Sequence, residues 1–242
     1  LVAESTHVWQ QAKEQNDYNL FEPYLAKLID LSRQKASFID SDRLTYDVLL
    51  DEFEPGMTVK RVEQLFADLK ERGLPLLKRV QDLTLCYKPI QGPFNTQHQW
   101  LYTLDLLKNM GFDFKQGRQD RSSHPFTIDI HPSDVRVTTR LDKHLFFSGI
   151  TSTVHEGGHG LYEQGLQKEF FGTPLAQAVS LGIHESQSRL WENHICKSLP
   201  FWQGQLAKIQ SYFPTQFTDV SAYDLWKQVN KVEPGFIRVE AD

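Results

Sequence analysis

The stretch Val154-His155-Glu156-Gly157-Gly158-His159-Gly160-Leu161-Tyr162 decides how this chain is read. Residues four apart on an α-helix lie one above the other on the same face, so a helix here aims both imidazoles at one point in space. Two imidazoles aimed at one point are a pair of metal ligands. Glu156, about a quarter-turn round the helix, can touch a water on such a metal without binding the ion itself. Val154, Leu161 and Tyr162 supply an apolar flank, and Gly165 predicts the helix end. Gly157 and Gly158 each cost a helix interior about 1 kcal/mol relative to Ala, so something should approach this backbone closely.

A catalytic zinc ordinarily takes three protein ligands and a water, so a third ligand is needed from another element. The segment Gly182-Ile183-His184-Glu185-Ser186-Gln187-Ser188-Arg189-Leu190-Trp191-Glu192-Asn193 offers one. Ile183, Leu190 and Trp191, with Val179 before them, fit one buried face of a second helix. On spacing alone His184 and Glu185 both remain open as the ligand. Phe170-Phe171-Gly172-Thr173-Pro174 predicts the turn that sets the two helices antiparallel and brings the third ligand level with the histidines. Ser186, Ser188 and Arg189 could orient ligands from behind, or serve as ordinary caps and salt bridges.

The two segments resemble the M32 metallocarboxypeptidases, the thermostable carboxypeptidase family of the Taq type. That family's pattern is His-Glu-x-x-His followed by His-Glu-Ser-x-Ser-Arg. Three further motifs fit it: His124-Pro125-Phe126, Asp134-Val135-Arg136-Val137-Thr138 and Ile237-Arg238-Val239-Glu240-Ala241-Asp242. The Leu50-Asp51-Glu52-Phe53-Glu54-Pro55-Gly56 stretch extends the likeness along most of the chain. The resemblance implies a helical, gluzincin-like zinc-peptidase scaffold. It implies His155, His159 and Glu185 as ligands of Zn2+ (Co2+ being an alternative) and Glu156 as general base. The implied substrate is a peptide with a free C-terminus, and the implied whole protein is a homodimer, which the composition suggests is cytoplasmic.

A free C-terminal carboxylate calls for a cation, and Arg meets it with planar bidentate geometry. Arg238 is the first candidate and Arg136 the second. Arg238 could equally pair with Glu240 or Asp242. For Asp134, Arg136 and Thr138, which should share one face of a strand, a buried ion pair fixing the strand to the helices competes with direct substrate contact. A donor for the oxyanion is not identified in the chain.

Family members are about twice as long, beyond the usual size of one compact core. The chain starts at Leu1 without an initiator Met, stops at Asp242 inside a motif, and lacks the family's Gly-x-x-Gln-Asp-x-His-Trp motif. The expectation is a single internal fragment, 1–242, of a larger helical catalytic domain, lacking part of the substrate cleft and exposing apolar surface. Within it, residues 1–122 should form helical scaffold, 123–142 a β-hairpin and 143–242 the metal-site helices.

The hairpin is read from Phe126, Ile128 and Ile130, then Val135 and Val137, alternating with polar residues around His131-Pro132-Ser133-Asp134. Such a strand beside a metal helix can hold a peptide by main-chain hydrogen bonds. Elsewhere the spacing is helical. Leu20, Tyr24, Leu25, Leu28 and Leu31 predict a helix after Asn19, and Ser41 could cap another running through Phe53. Val62, Leu65, Phe66 and Leu69 predict a third, with Gly73-Leu74-Pro75 as a break or kink. Asn95 should cap a fourth that Gly111 ends. These apolar stripes are expected to be core.

Composition excludes several functions. A formal net charge of −5 with dispersed Lys and Arg argues against nucleic acid or an anionic membrane as partner. No apolar run approaches the roughly 20 residues that span a bilayer. Cys86 and Cys196 form no metal cluster and read as reduced core cysteines. His7, His98, His124, His131, His144 and His194 lack metal spacing with one another. Two other classes of function share these features: an endo-acting oligopeptidase on a similar scaffold, and a non-catalytic helical interaction module with a vestigial metal site. Glu156 favours an enzyme, because a purely structural site has no use for a general base.

Overall fold

The computed structural model describes residues 1–81 and 89–232. The chain divides into two compact units, Leu1–Pro75 and Leu76–Asp242. It is mainly helical with a small sheet, as the sequence predicts.

The first unit holds α1 (Val2–Gln15), a 3-10 turn at Tyr18–Leu20, α2 (Glu22–Ile39), α3 (Thr45–Asp51) and the start of α4 (Val59–Gln81). Asp17 caps the 3-10 turn by accepting from the Asn19 N–H. The helix expected from Ser41 starts only at Thr45. The Asp40 carboxylate accepts from the Asp42 N–H at 3.0 Å, and this local turn competes with a helical start. Of the break or kink expected at Gly73-Leu74-Pro75, the break does not occur: α4 carries Pro75 inside it. Proline's fixed φ is itself helical, and the cost is one missing backbone bond and a local clash. Buried apolar side chains in this unit are Ala12, Ala36 and Val48. Leu20, Leu31, Leu65, Phe66 and Leu69, expected in the core, are exposed. An amphipathic stripe records that a face wants a partner, not that these residues supply one.

In the second unit, α5 (Thr96–Met110) begins and ends as expected. The Asn95 side chain accepts from the N–H groups of Gln97 and His98, and Gly111 terminates the helix with φ 101°. The sheet comprises β1 (Gly117–Arg121), β2 (Thr127–His131) and β3 (Asp134–Thr139), in the order β1-β3-β2. The β2–β3 pair is the expected antiparallel hairpin, with Ile128 opposite Arg136 and an irregularity between Asp129 and His131. β1 runs parallel to β3 and was not foreseen. Gly117-Arg118-Gln119-Asp120-Arg121 carries no apolar alternation to betray it.

Val135 and Val137 are buried, and behind them runs α6 (Phe146–Gln164), the helix carrying His155-Glu156-Gly157-Gly158-His159. Its first residue, Phe146, sits in an aromatic cluster, with ring centroids 5.0 Å from Phe94 and 5.1 Å from both Phe213 and Phe217. Such contacts fix the start of the helix and therefore the height of its histidines. The chain continues through α7 (Leu181–Arg189), a π-helical turn at Leu190–Cys196, α8 (Leu199–Tyr212), α9 (Pro214–Phe217) and α10 (Ala222–Val229). Cys196 is a buried free thiol, whereas Cys86 lies outside the described residues. No helix among the described residues is long and apolar enough to cross a membrane.

Candidate metal centre

On α6, His155 and Glu156 are buried and His159 is partly buried. The glycines between them permit close approach from two sides. A Cβ on Gly157 would stand 2.6 Å from Leu107 Cδ2, and one on Gly158 would stand 2.7 Å from Ser188 Cα and 2.8 Å from Gln187 O. The helix cost of Gly158 is thus explained by the backbone of α7 lying directly against α6.

α7 is capped by Ser180, whose Oγ accepts from the Ile183 N–H. It turns Glu185 toward the histidines. Glu185 Oε2 lies 3.2 Å from His159 Nε2 and 3.7 Å from His155 Nε2. Ligands about 2.0–2.1 Å from a tetrahedral zinc stand roughly 3.3–3.4 Å apart, so these spacings suit such an ion. Among the described residues, His155, His159 and Glu185 are the group of metal-ligating side chains whose donor atoms converge, all within 4.8 Å of one another. Of the two residues that spacing left open, Glu185 is the one whose donor atom joins the histidines, while His184 places its ring flat on His159, centroids 4.4 Å apart at 18°.

The partners behind the three donors were mostly invisible in the sequence. Glu192, buried at the π-helical turn, accepts from His155 Nδ1 at 3.0 Å. Arg189 Nη1 and Lys197 Nζ hold the same carboxylate at 3.0 and 3.3 Å. The one available signal is that Glu192 follows Glu185 by seven residues, two helical turns along one face. Arg189 Nε also donates to Glu185 Oε1 at 2.8 Å, and Ser188 Oγ reaches Glu185 Oε2 at 3.1 Å. Thr127, on β2, donates from Oγ1 to Glu156 Oε2 at 2.6 Å. Buried Glu163 accepts from His184 Nε2 at 2.6 Å.

The apolar face expected on α7 is corrected by these contacts. Val179, Ile183 and Leu190 are 68%, 46% and 42% exposed, and Trp191 is only half-buried. The side facing α6 is polar, with Ser188 and Glu192 buried there instead. A helix that must bring carboxylates to histidines turns its polar side inward, and every carboxylate there is hydrogen-bonded.

The electrostatics favour a cation. Burial pushes His155 down, but the Glu192 hydrogen bond and the charges of Glu156 and Glu185 outweigh it, so His155 draws a proton more readily than usual. Burial, with the nearby His184 and His155 rings, pushes His159 down to about 4, into the neutral form that ligates metals. Burial raises the Glu185 carboxyl, yet His155, Arg189 and Ser188 together hold it below the usual range. Glu192 behaves likewise: burial is outweighed by the His155 hydrogen bond, Lys197 and Arg189. Once His155 gives up its extra proton, the donor set is two imidazoles and an ionised carboxylate, a set that suits a zinc-type ion.

His155, Glu156, His159 and Glu185 line a cleft of about 560 Å3, whose walls also include Phe126, Thr127, His184 and Arg189. Arg136 is not part of that lining. It forms a bidentate pair with Asp134, Nε to Oδ1 at 2.9 Å and Nη2 to Oδ2 at 2.8 Å, on the half-exposed outer face of β3. Thr138 of the same motif is buried and accepts from the Phe126 N–H at 2.9 Å, tying the end of His124-Pro125-Phe126 to the sheet. Arg238 lies outside the described residues. His98 and His131 have structural partners, the Tyr212 carbonyl and the Ser133 N–H.

A helical scaffold that presents two histidines from one helix and a glutamate from the next, beside an edge strand, defines the class of helical metallopeptidases. Comparison with known proteins narrows this. The family model described as Carboxypeptidase Taq (M32) metallopeptidase matches residues 1–242. Carboxypeptidase 1 of Bacillus subtilis is 42% identical over 100% of this chain and 49% of its own length. Thermostable carboxypeptidase 1 of Thermus thermophilus is 41% identical over 99% of this chain and 49% of its own. Among solved structures, that of the Pyrococcus furiosus carboxypeptidase in an apo-Mg form superposes with a TM-score of 0.87 at 36% identity, covering 99% of this chain and 49% of that one. The chain belongs to the M32 metallopeptidase family. It spans about half the length of the curated relatives it matches.

Proposed function

We propose that this chain carries the catalytic centre of a zinc-dependent carboxypeptidase that releases the C-terminal residue of peptides. The observation that carries the reading is the convergence of His155 Nε2, His159 Nε2 and Glu185 Oε2 beside a buried Glu156 in one cleft. His155, His159 and Glu185 would hold Zn2+, or Co2+ in its place. When bound, such an ion supplies Lewis acidity and lowers the pKa of a bound water toward about 7.

The chain's own residues do the rest. Glu156 takes a proton from the attacking water as it adds to the scissile carbonyl, then gives that proton to the leaving amine. The Thr127 hydroxyl, 2.6 Å from Glu156 Oε2, holds the carboxylate in one orientation for this transfer. Among the described residues β2 pairs on one side only, with β3, so its other edge offers main-chain groups to an extended peptide. Recognition of the free carboxylate falls to an arginine, with Arg238 first and Arg136 second. Arg136 would have to exchange Asp134 for the substrate. The whole protein is proposed to work in the cytoplasm and, by the family resemblance, as a homodimer.

The test is metal content by elemental analysis, paired with residue release from an N-blocked dipeptide, for the chain and Glu156→Gln. About one zinc per chain with release lost in the variant, metal retained, supports the reading. Equal hydrolysis of substrates with free and amidated C-termini would replace the carboxypeptidase by an endo-acting oligopeptidase. Failure to bind zinc even after reconstitution would sink it.

A further inference from the structure

The two ligand histidines of α6 are held by different physics, and the difference assigns a task to His184. His155 has its ring orientation set by a hydrogen bond, Nδ1 to Glu192 Oε2 at 3.0 Å. His159 has no such anchor: its Nδ1 is buried and lacks a hydrogen-bond partner among the described residues. A histidine's outer torsion is broad, so a ring without an anchor does not hold its Nε2 on a fixed line. What lies against His159 instead is the ring of His184, stacked at 4.4 Å and 18°, with His155 edge-on at 5.0 Å and 74°.

His184 is itself immobilised. Its Nε2 donates to the buried carboxylate of Glu163 at 2.6 Å, and Tyr162 meets its ring edge-on at 5.1 Å. Glu163 lies one turn after His159 on the same face of α6. His159 and Glu163 therefore bracket a ring delivered from α7, one by stacking and the other by a hydrogen bond. Turning the His159 ring about its outer bond would drive its edge into the plane of His184.

We propose that His184 is a positioning residue: it acts as a flat stop that fixes the His159 imidazole in the ligating orientation, taking the role that a hydrogen-bonded carboxylate plays for His155. This rests on the metal-centre reading above. The competing account is that His184 and Glu163 merely tie α7 to α6. That would support folding but leave the affinity of the folded centre for metal unchanged.

The experiment measures zinc affinity by chelator competition and the visible spectrum of the Co2+ form, for the chain, His184→Ala, and the double variant His184→Phe with Glu163→Leu. The double variant keeps a flat ring against His159 and removes the carboxylate that Phe could not satisfy. Loss of an outer partner typically costs a metal site 10–100-fold in affinity. The expected result is a loss in that range for His184→Ala with an altered Co2+ spectrum, and affinity restored to within about threefold in the double variant. Parent-like affinity in His184→Ala overturns the proposal while leaving the metal centre standing. So does a double variant that folds yet binds zinc as weakly as His184→Ala. Should His184→Ala fail to fold, the double variant decides in the same way. A parent chain that binds no zinc removes the metal-centre reading and this inference together.

Discussion

His155 and Glu192 meet across the packed faces of α6 and the π-helical turn, with Nδ1 3.0 Å from Oε2 and both side chains buried. The contact fixes the tautomer of the neutral ring: an ionised carboxylate only accepts, so Nδ1 carries the hydrogen and Nε2 is the nitrogen left with the lone pair, beside Glu185. Arg189 and Lys197 neutralise the buried carboxylate, which is why it can sit there ionised.

Replacing Glu192 with Gln keeps the shape but removes the charge that strengthens this bond. Zinc affinity should fall about 10-fold for Glu192→Gln and approach 100-fold for Glu192→Ala. Chelator competition on the two variants measures it. Unchanged affinity in Glu192→Ala would show that His155 is oriented by packing alone.

How much of this was legible in the sequence varied with the distance between the residues involved. His155, Glu156 and His159 could be placed because the helical period converts a spacing of four into a shared direction. Glu185 could not be separated from its neighbour His184 without the family resemblance, because adjacent residues differ only in a direction that tertiary packing decides. Glu163 and Thr127 gave no signal, and Glu192 only its spacing of seven from Glu185: an acid or a hydroxyl becomes a site residue only through the partner it meets, here 21, 29 and 37 residues away in the chain. The apolar pattern of α7 misled, since a helix serving a polar centre buries its hydrophilic side. β1 was invisible for the related reason that a charged strand at a sheet edge needs no hydrophobic alternation.

The capping box of α10 should make stability depend on acid. Hydrogen bonds from Ser221, with Lys227 nearby, hold the Asp224 carboxyl down at about 2, against an ordinary value of 3.8. A carboxyl whose folded pKa is depressed stabilises the fold above its unfolded value, and that contribution is lost as pH falls through the folded value. Chemical denaturation of the chain and Asp224→Asn should therefore differ at pH 6 and converge between about pH 4 and pH 2. A gap that persists unchanged at pH 2 would mean the carboxylate charge is not what the cap uses.

The exposed stripes of the first unit predict self-association. Phe38 is 88% and Leu69 65% exposed, with Phe66 and Leu65 beside the latter on α4. Apolar patches of this kind drive association in water. Sedimentation of the chain should show concentration-dependent species, and Phe66→Asp with Leu69→Lys should reduce them while leaving the denaturation midpoint nearly unchanged. A monodisperse monomer across the accessible concentrations would refute this.

Gly158 and Gly204 offer a matched test of how α7 reaches the histidines. Both lie inside helices, so an Ala at either gains up to about 1 kcal/mol of helix propensity. Around Gly204 an added Cβ meets nothing within 4 Å. Gly204→Ala should accordingly raise stability by up to that amount. At Gly158 the same Cβ would stand 2.7 Å from Ser188 Cα and 2.8 Å from Gln187 O, backbone atoms that cannot swing aside. The strain of such overpacking runs to about 1–3 kcal/mol, which equals or exceeds the propensity gain. α7 must therefore move away from α6, carrying Glu185 off the two imidazoles. Gly158→Ala should lower or barely alter the thermal midpoint while weakening zinc binding at least 10-fold, about 1.4 kcal/mol. The measurement is thermal denaturation of the metal-free chain alongside zinc titration for both variants. Zinc affinity in Gly158→Ala equal to that of Gly204→Ala would show that the close approach of α7 at this point is not what delivers Glu185.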